Sequence, residues 1–151
     1  MNYLLDTNII LIYIRDLWTR DHIENKYDPF GNQNNPIISV VTVGEIKSIA
    51  RRNYWGKAKV SLLNEILNNL IITDINVEDL VEMYAEIDAF SQGKIKEKPL
   101  ELSARNMGKN DLWIAATAAV TKSKLLTTDH DFDHLDETYL ELVKIDRIKK
   151  T

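Results

Sequence analysis

The chain has 151 residues, enough for one domain with a sizeable hydrophobic core. It has no cysteine, which excludes disulfides, thiolate metal sites, iron–sulfur clusters and a cysteine nucleophile. With 19 basic against 23 acidic residues the net charge is −4, which excludes binding nucleic acid through overall positive charge and leaves that role to local patches.

In chain order, residues 2–5 form a short apolar run that stops at Asp6 and predict a strand. Residues 9–14 are too apolar for one exposed face and predict a largely buried helix. Residues 18–27 read as a polar helix or loop, and 28–36 as a cluster of turn formers. Residues 37–41 are β-branched and predict a strand. A helix is expected from Thr42 to about Asn53, broken at Gly56, and another over 59–70 with Val60, Leu63, Ile66, Leu67 and Leu70 at helical spacing. Residues 71–75 predict a strand and 77–90 a helix. A basic connection over 91–98 leads past Pro99 to a short helix expected over 100–107. An alanine-rich helix follows from Asn110 to about Thr121, then strands over 124–128 and 141–145, then a basic tail with Arg147, Lys149 and Lys150. This alternation predicts an α/β chain with a mainly parallel sheet covered by helices on both faces, in one domain over 1–151. No apolar run reaches the ~18–20 residues of a membrane helix, and the first residues lack a signal peptide's apolar stretch, so a cytoplasmic protein is expected.

Two predicted strands end in aspartate, at Asp6 and Asp129, and two predicted helices open with an acid, Glu45 and Asp111. In a parallel sheet ligands bind outside the carboxyl ends of the strands, where all four groups can meet. Carboxylates gathered there repel one another unless a cation neutralises them, and Mg²⁺ or Mn²⁺ suits such oxygen ligands. Each acid also has a purely structural explanation. Asp6 can cap a helix, Thr42 and Glu45 have capping-box spacing, Asp111 favours a helix N-terminus, and Asp129-His130-Asp131 can be a turn. One cause explains their joint placement better than four coincidences.

The segments Leu4-Leu5-Asp6-Thr7-Asn8, Ser39 to Glu45, Lys109 to Ala118 and Leu125 to Phe132 resemble, in order and spacing, those of PIN domains, and among them VapC-type toxins. The resemblance implies a three-layer α/β/α sandwich and metal-dependent RNA cleavage leaving a 5′-phosphate and a 3′-hydroxyl. It implies Asp6, Glu45, Asp111 and Asp129 as the catalytic acids, Asp131 as an additional one, and Thr7, Thr127 and Asn110 as supporting residues. On this basis Asp6, Asp111 and Asp129, with Asp131, are expected to hold Mg²⁺ or Mn²⁺, while Glu45 orients water or binds a second ion. The resemblance also implies a VapB-type antitoxin that inserts a basic side chain among the acids, and a homodimer, for which the helices over 59–70 and 77–90 offer amphipathic faces.

RNA would meet local basic groups: Arg51, Arg52, Lys57 and Lys59 around Tyr54 and Trp55, and Lys94, Lys96 and Lys98 with Arg105 and Lys109 nearby. Solvated helix ends explain these clusters equally well. Trp113 reads as core, and His130 as a surface turn residue. The rival readings are an RNA-processing nuclease without an antitoxin, a non-catalytic RNA-binding module, and a phosphatase with an aspartate nucleophile. The last usually needs a second acid two residues on, where this chain has Asn8. A P-loop is excluded because its glycine–lysine run is missing.

Overall fold

The computed structural model describes residues 1–149, so Lys150 of the basic tail lies outside the described residues. Five strands form one sheet: β1 (Asn2–Leu5), β2 (Asn35–Ser39), β3 (Ile71–Thr73), β4 (Lys124–Thr127) and β5 (Glu141–Lys144). Their order is β3-β2-β1-β4-β5, and every pairing is parallel. Six helices complete the fold: α1 (Thr7–Arg15), α2 (Leu17–Lys26), α3 (Val40–Arg52), α4 (Lys57–Asn68), α5 (Glu78–Ser91) and α6 (Lys109–Thr121). No helix among the described residues is long and apolar enough to cross a membrane.

The central strands are apolar on both sides because helices cover both faces. Leu5, Ile38 and Leu126 join a core made with α1, α2, α3 and α4, while their neighbours Leu4, Ile37 and Leu125 join a second core with α5 and α6. This alternation gives the three layers of an α/β/α sandwich. Trp113 is partly buried in the second core and packs against Tyr84, with ring centroids 4.3 Å apart.

Local expectations need correction in two places, over residues 40–42 and 100–107. Residues 40–41 are helical, not strand: buried Ser39 caps α3 by accepting the Val41 amide at 3.1 Å. Thr42 therefore lies inside the helix with its hydroxyl unpartnered, and no capping box with Glu45 forms. Residues 100–107 are irregular rather than helical. Their backbone is tied to the end of α5 by the Arg105 amide, which donates to the Ser91 carbonyl at 2.8 Å, while Leu100 and Met107 pack on the second core. The polar segment after Asp16 is a helix, α2, because Asp16 caps it through the Thr19 amide and hydroxyl at 3.2 and 2.8 Å.

Candidate metal centre

The chain runs outward from β1 to β2 and β3 on one side, then returns to place β4 and β5 on the other. The direction of winding changes between β1 and β4, which opens a crevice at their carboxyl ends, the usual ligand position in such sheets. Asp6 follows β1 directly, and Asp129 lies just beyond β4. Asp111 sits in the first turn of α6.

Asp6 is the most fixed of the acids, at 5% exposure. Its backbone is extended, and its Oδ1 accepts the Thr7 amide at 2.7 Å as the cap of α1. Its Oδ2 accepts the Thr127 hydroxyl, also at 2.7 Å. Thr127 Oγ1 in turn accepts the Asp129 amide at 3.0 Å, so one hydroxyl links the ends of β1 and β4. Thr7 contributes its amide rather than its hydroxyl, which is buried without a partner among the described residues.

Asp111, Asp129 and Asp131 each offer a carboxylate oxygen, and these oxygens lie within 4.8 Å of one another. The Asp131 amide donates to Asp129 Oδ1 at 3.1 Å, which shapes the turn carrying both acids. Asp111 is half-buried. Burial first, then the charges of Asp6, Asp129, Asp131 and Glu45, pushes its carboxyl up to about 7. Burial pushes Asp6 up to about 6; the Thr127 and Thr7 hydrogen bonds pull it back, and the charges of Glu45 and Asp129 add to the rise. Glu45 lies beyond the first turn of α3, yet its charge reaches both aspartates. It shares a cavity of about 620 Å³ with Asn110 and Arg52. The donor set is entirely carboxylate oxygen, the chemistry that Mg²⁺ or Mn²⁺ prefers. The mutual repulsion that adds to burial at Asp6 and Asp111 is what a divalent cation would offset.

Residues 3–138 match the family model described as the PIN domain. The chain belongs to the PIN domain family. The fold of this PIN domain is similar to a chain of VapBC2 from Rickettsia felis, solved bound to a DNA fragment from their promoter: the TM-score is 0.74, with 24% identity over 97% of this chain and 100% of that one. It is also similar to DNA-bound VapBC from Salmonella typhimurium, at TM-score 0.69 and 15% identity over 95% and 98% of the two chains. VapBC-1 from nontypeable Haemophilus influenzae matches at TM-score 0.66 and 20% identity over 95% and 98%. A search of curated protein sequences gave no significant match.

The basic residues of the PIN domain divide by position. Arg52 lines the Glu45 cavity, whereas Arg51 and Lys57 do not. Lys59 lies over the Trp55 ring at 5.2 Å, while Tyr54 is 91% exposed. Arg105 lines a second cavity, of about 300 Å³, with Asp131. Lys98 pairs with Glu86 at 3.2 Å and lies over the Tyr139 ring at 4.5 Å. Lys94, Lys96 and Lys109 are exposed and carry no ion pair among the described residues. His130 is an exposed turn residue bonded to Asp133 at 3.0 Å.

Sequence reasoning missed Ser48, which holds Arg52, and His134, which is buried against Ser91 with Nε2 2.7 Å from its hydroxyl. Ser48 could have been found from its spacing, three residues after Glu45 and four before Arg52 on one helix. His134 carries no such signal.

Proposed function

We propose that this PIN domain, taken as one unit over 1–151, is a metal-dependent endoribonuclease and the toxin of a toxin–antitoxin pair acting in the cytoplasm. The observation that carries this reading is the convergence of carboxylates in the crevice between β1 and β4, with Asp6 and Asp111 protonating far above the ordinary aspartate range. Asp6, Asp111, Asp129 and Asp131 would hold Mg²⁺ or Mn²⁺. When bound, such an ion supplies a Lewis acid toward the phosphodiester and lowers the pKa of water. Asp6, fixed by Thr7 and Thr127, presents its carboxylate without reorganisation. Glu45, beside Asn110, orients the attacking water and takes its proton on the carboxylate. The water oxygen bonds to phosphorus, the bond to the 3′-oxygen breaks, the leaving 3′-oxygen takes a proton from solvent, and the products carry a 5′-phosphate and a 3′-hydroxyl. Arg51, Arg52, Lys57, Lys94, Lys96, Lys98 and Lys109 would draw in the RNA. A VapB-type antitoxin would place a cationic side chain among the same acids, and the free toxin would be a homodimer. The VapBC complexes of similar fold support this partner.

The test is cleavage of total cellular RNA by purified protein in Mg²⁺, Mn²⁺ or EDTA, beside Asp6→Asn and Asp111→Asn. Cutting by the wild type only, with metal only, is expected. Metal-independent cutting, or products ending in 2′,3′-cyclic phosphate, would refute the mechanism.

A further inference from the structure

The cavity that holds Glu45 and Asn110 extends away from them. It continues along one face of α3 through Ser48 and Ile49 to Arg52, with Val40, Val41 and Gly44 on its walls. Glu45, Ser48, Ile49 and Arg52 recur at helical spacing, so they form a single stripe. A side chain added at Gly44 would meet nothing within 4 Å, which leaves this stretch of wall as bare backbone beside open space. Val40 is exposed.

Arg52 is held in an unusual way. Its Nε donates to Ser48 Oγ at 3.2 Å, and no carboxylate pairs with it among the described residues. The neutral anchor engages Nε of this exposed arginine and leaves both terminal NH₂ groups without a partner among the described residues. That is the fork geometry which binds phosphate bidentately. Arg52 lies seven positions after Glu45, a helical rise of ~10 Å. The arginine is therefore too far along for the phosphate at the acids but suitably placed for a neighbouring one. Val40, Val41 and Ile49 supply an apolar wall for the intervening sugar and base.

We propose that Arg52, positioned by Ser48, is a phosphate subsite for single-stranded RNA adjacent to the cleavage position, and that the strand leaves the acids along α3. This inference rests on the reading of the acids as a ribonuclease centre. RNA fits the cavity better than an acidic protein segment does, because one wall is apolar and the end away from Arg52 holds Glu45, a residue of the proposed cleavage centre, which would repel an acidic peptide.

The test measures binding of a short single-stranded RNA by fluorescence anisotropy at several salt concentrations, in Mg²⁺. The protein carries Glu45→Gln, which removes the proposed base and keeps the proposed metal ligands, so that the RNA stays intact. Arg52→Ala is added in one variant, and Lys47→Ala, on α3 but off the cavity, in another. Arg52→Ala should weaken binding about tenfold and lower the log–log salt slope by about 0.7, the loss of one phosphate contact on a single strand. Lys47→Ala should leave the slope unchanged. In the otherwise wild-type protein, Arg52→Ala should raise KM and preserve kcat, and Arg52→Lys should recover part of the affinity. Equal effects of Arg52→Ala and Lys47→Ala, with the parent binding and the wild type cutting RNA, would overturn the subsite and leave the nuclease reading intact. A parent that does not bind RNA, with a wild type that does not cut it, overturns both.

Discussion

Asp6 and Asp111 keep protons that the unfolded chain has already released, because their carboxyls move from 3.8 to about 6 and about 7 on folding. The native metal-free protein thus binds more protons than the unfolded one between these values, and its stability falls as pH rises through that window. Asp111→Asn removes its share without breaking a hydrogen bond of the described structure. It should stabilise the metal-free protein at pH 8 by on the order of 1 kcal/mol once solvent screening is allowed for, and do little at pH 4. Urea melts in EDTA at the two pH values measure this, and a marked loss of stability at pH 8 would contradict it. Asp6 behaves differently because it also caps α1 and accepts the Thr127 hydroxyl. Asp6→Ala should cost about 1–2 kcal/mol through those two bonds, whereas Asp6→Asn, which still caps, should be close to neutral. At this scale the acids themselves were legible, since each ends a strand or opens or joins a helix in a recognisable motif. The balance of hydrogen bonding against burial at each one was not, because it depends on partners more than a hundred residues away, such as Thr127 for Asp6.

Between elements, the turn that carries Asp129 and Asp131 is followed by Asp133–Leu135, a single 3-10 turn locked to the end of α5. His134 does the locking. It is 6% exposed, bonds Ser91, and stacks parallel to Phe90 with centroids 6.4 Å apart. Burial, with the Arg105 charge behind it, pushes the imidazole down to about 4. A histidine held neutral contributes stability that is present above its ordinary 6.5 and is lost as pH falls toward 4. This opposes the carboxylates over nearly the same window. His134→Gln should lower stability overall and also make metal-free stability fall more steeply with rising pH from 4.5 to 6.5. An unchanged slope would mean that the imidazole does not titrate differently in the two states. On the other side of the sheet, Ser39→Ala should cost about 1 kcal/mol by removing the cap of α3, read as a shift in the urea midpoint. Both contacts explain where element-level reading failed. Val40 and Val41 favour strand locally, but the Ser39 cap turns them into the first turn of a helix. Residues 100–107 have helical composition, but their backbone is engaged by Ser91 and their apolar residues by the second core.

At the scale of the whole molecule, strand order does the work that no single motif can. The sheet was legible as α/β from its alternating runs, and as parallel from strands such as Leu125-Leu126 that are buried on both faces. Which strands become neighbours was not legible from spacing. The pairing of β1 with β4 in the order β3-β2-β1-β4-β5 brings Asp6 beside Asp129, although they are distant in sequence. That order concentrates negative charge in a chain that is already −4 overall, so the RNA substrate proposed above would be repelled from the crevice until a cation offset the carboxylates. Metal, stability and pH are then linked. A divalent ion that binds the ionised carboxylates of the native state, and not the scattered ones of the unfolded chain, should raise the urea midpoint. Because Asp6 and Asp111 must release protons on binding, the increase should be small at pH 5 and large at pH 8. Titrating Mg²⁺ and Mn²⁺ into the protein at both pH values, with the melt as readout, tests this without any substrate. Asp111→Asn should abolish most of the increase at pH 8. An equal shift in wild type and variant would place the ion elsewhere on this acidic surface and separate the crevice between β1 and β4 from metal binding.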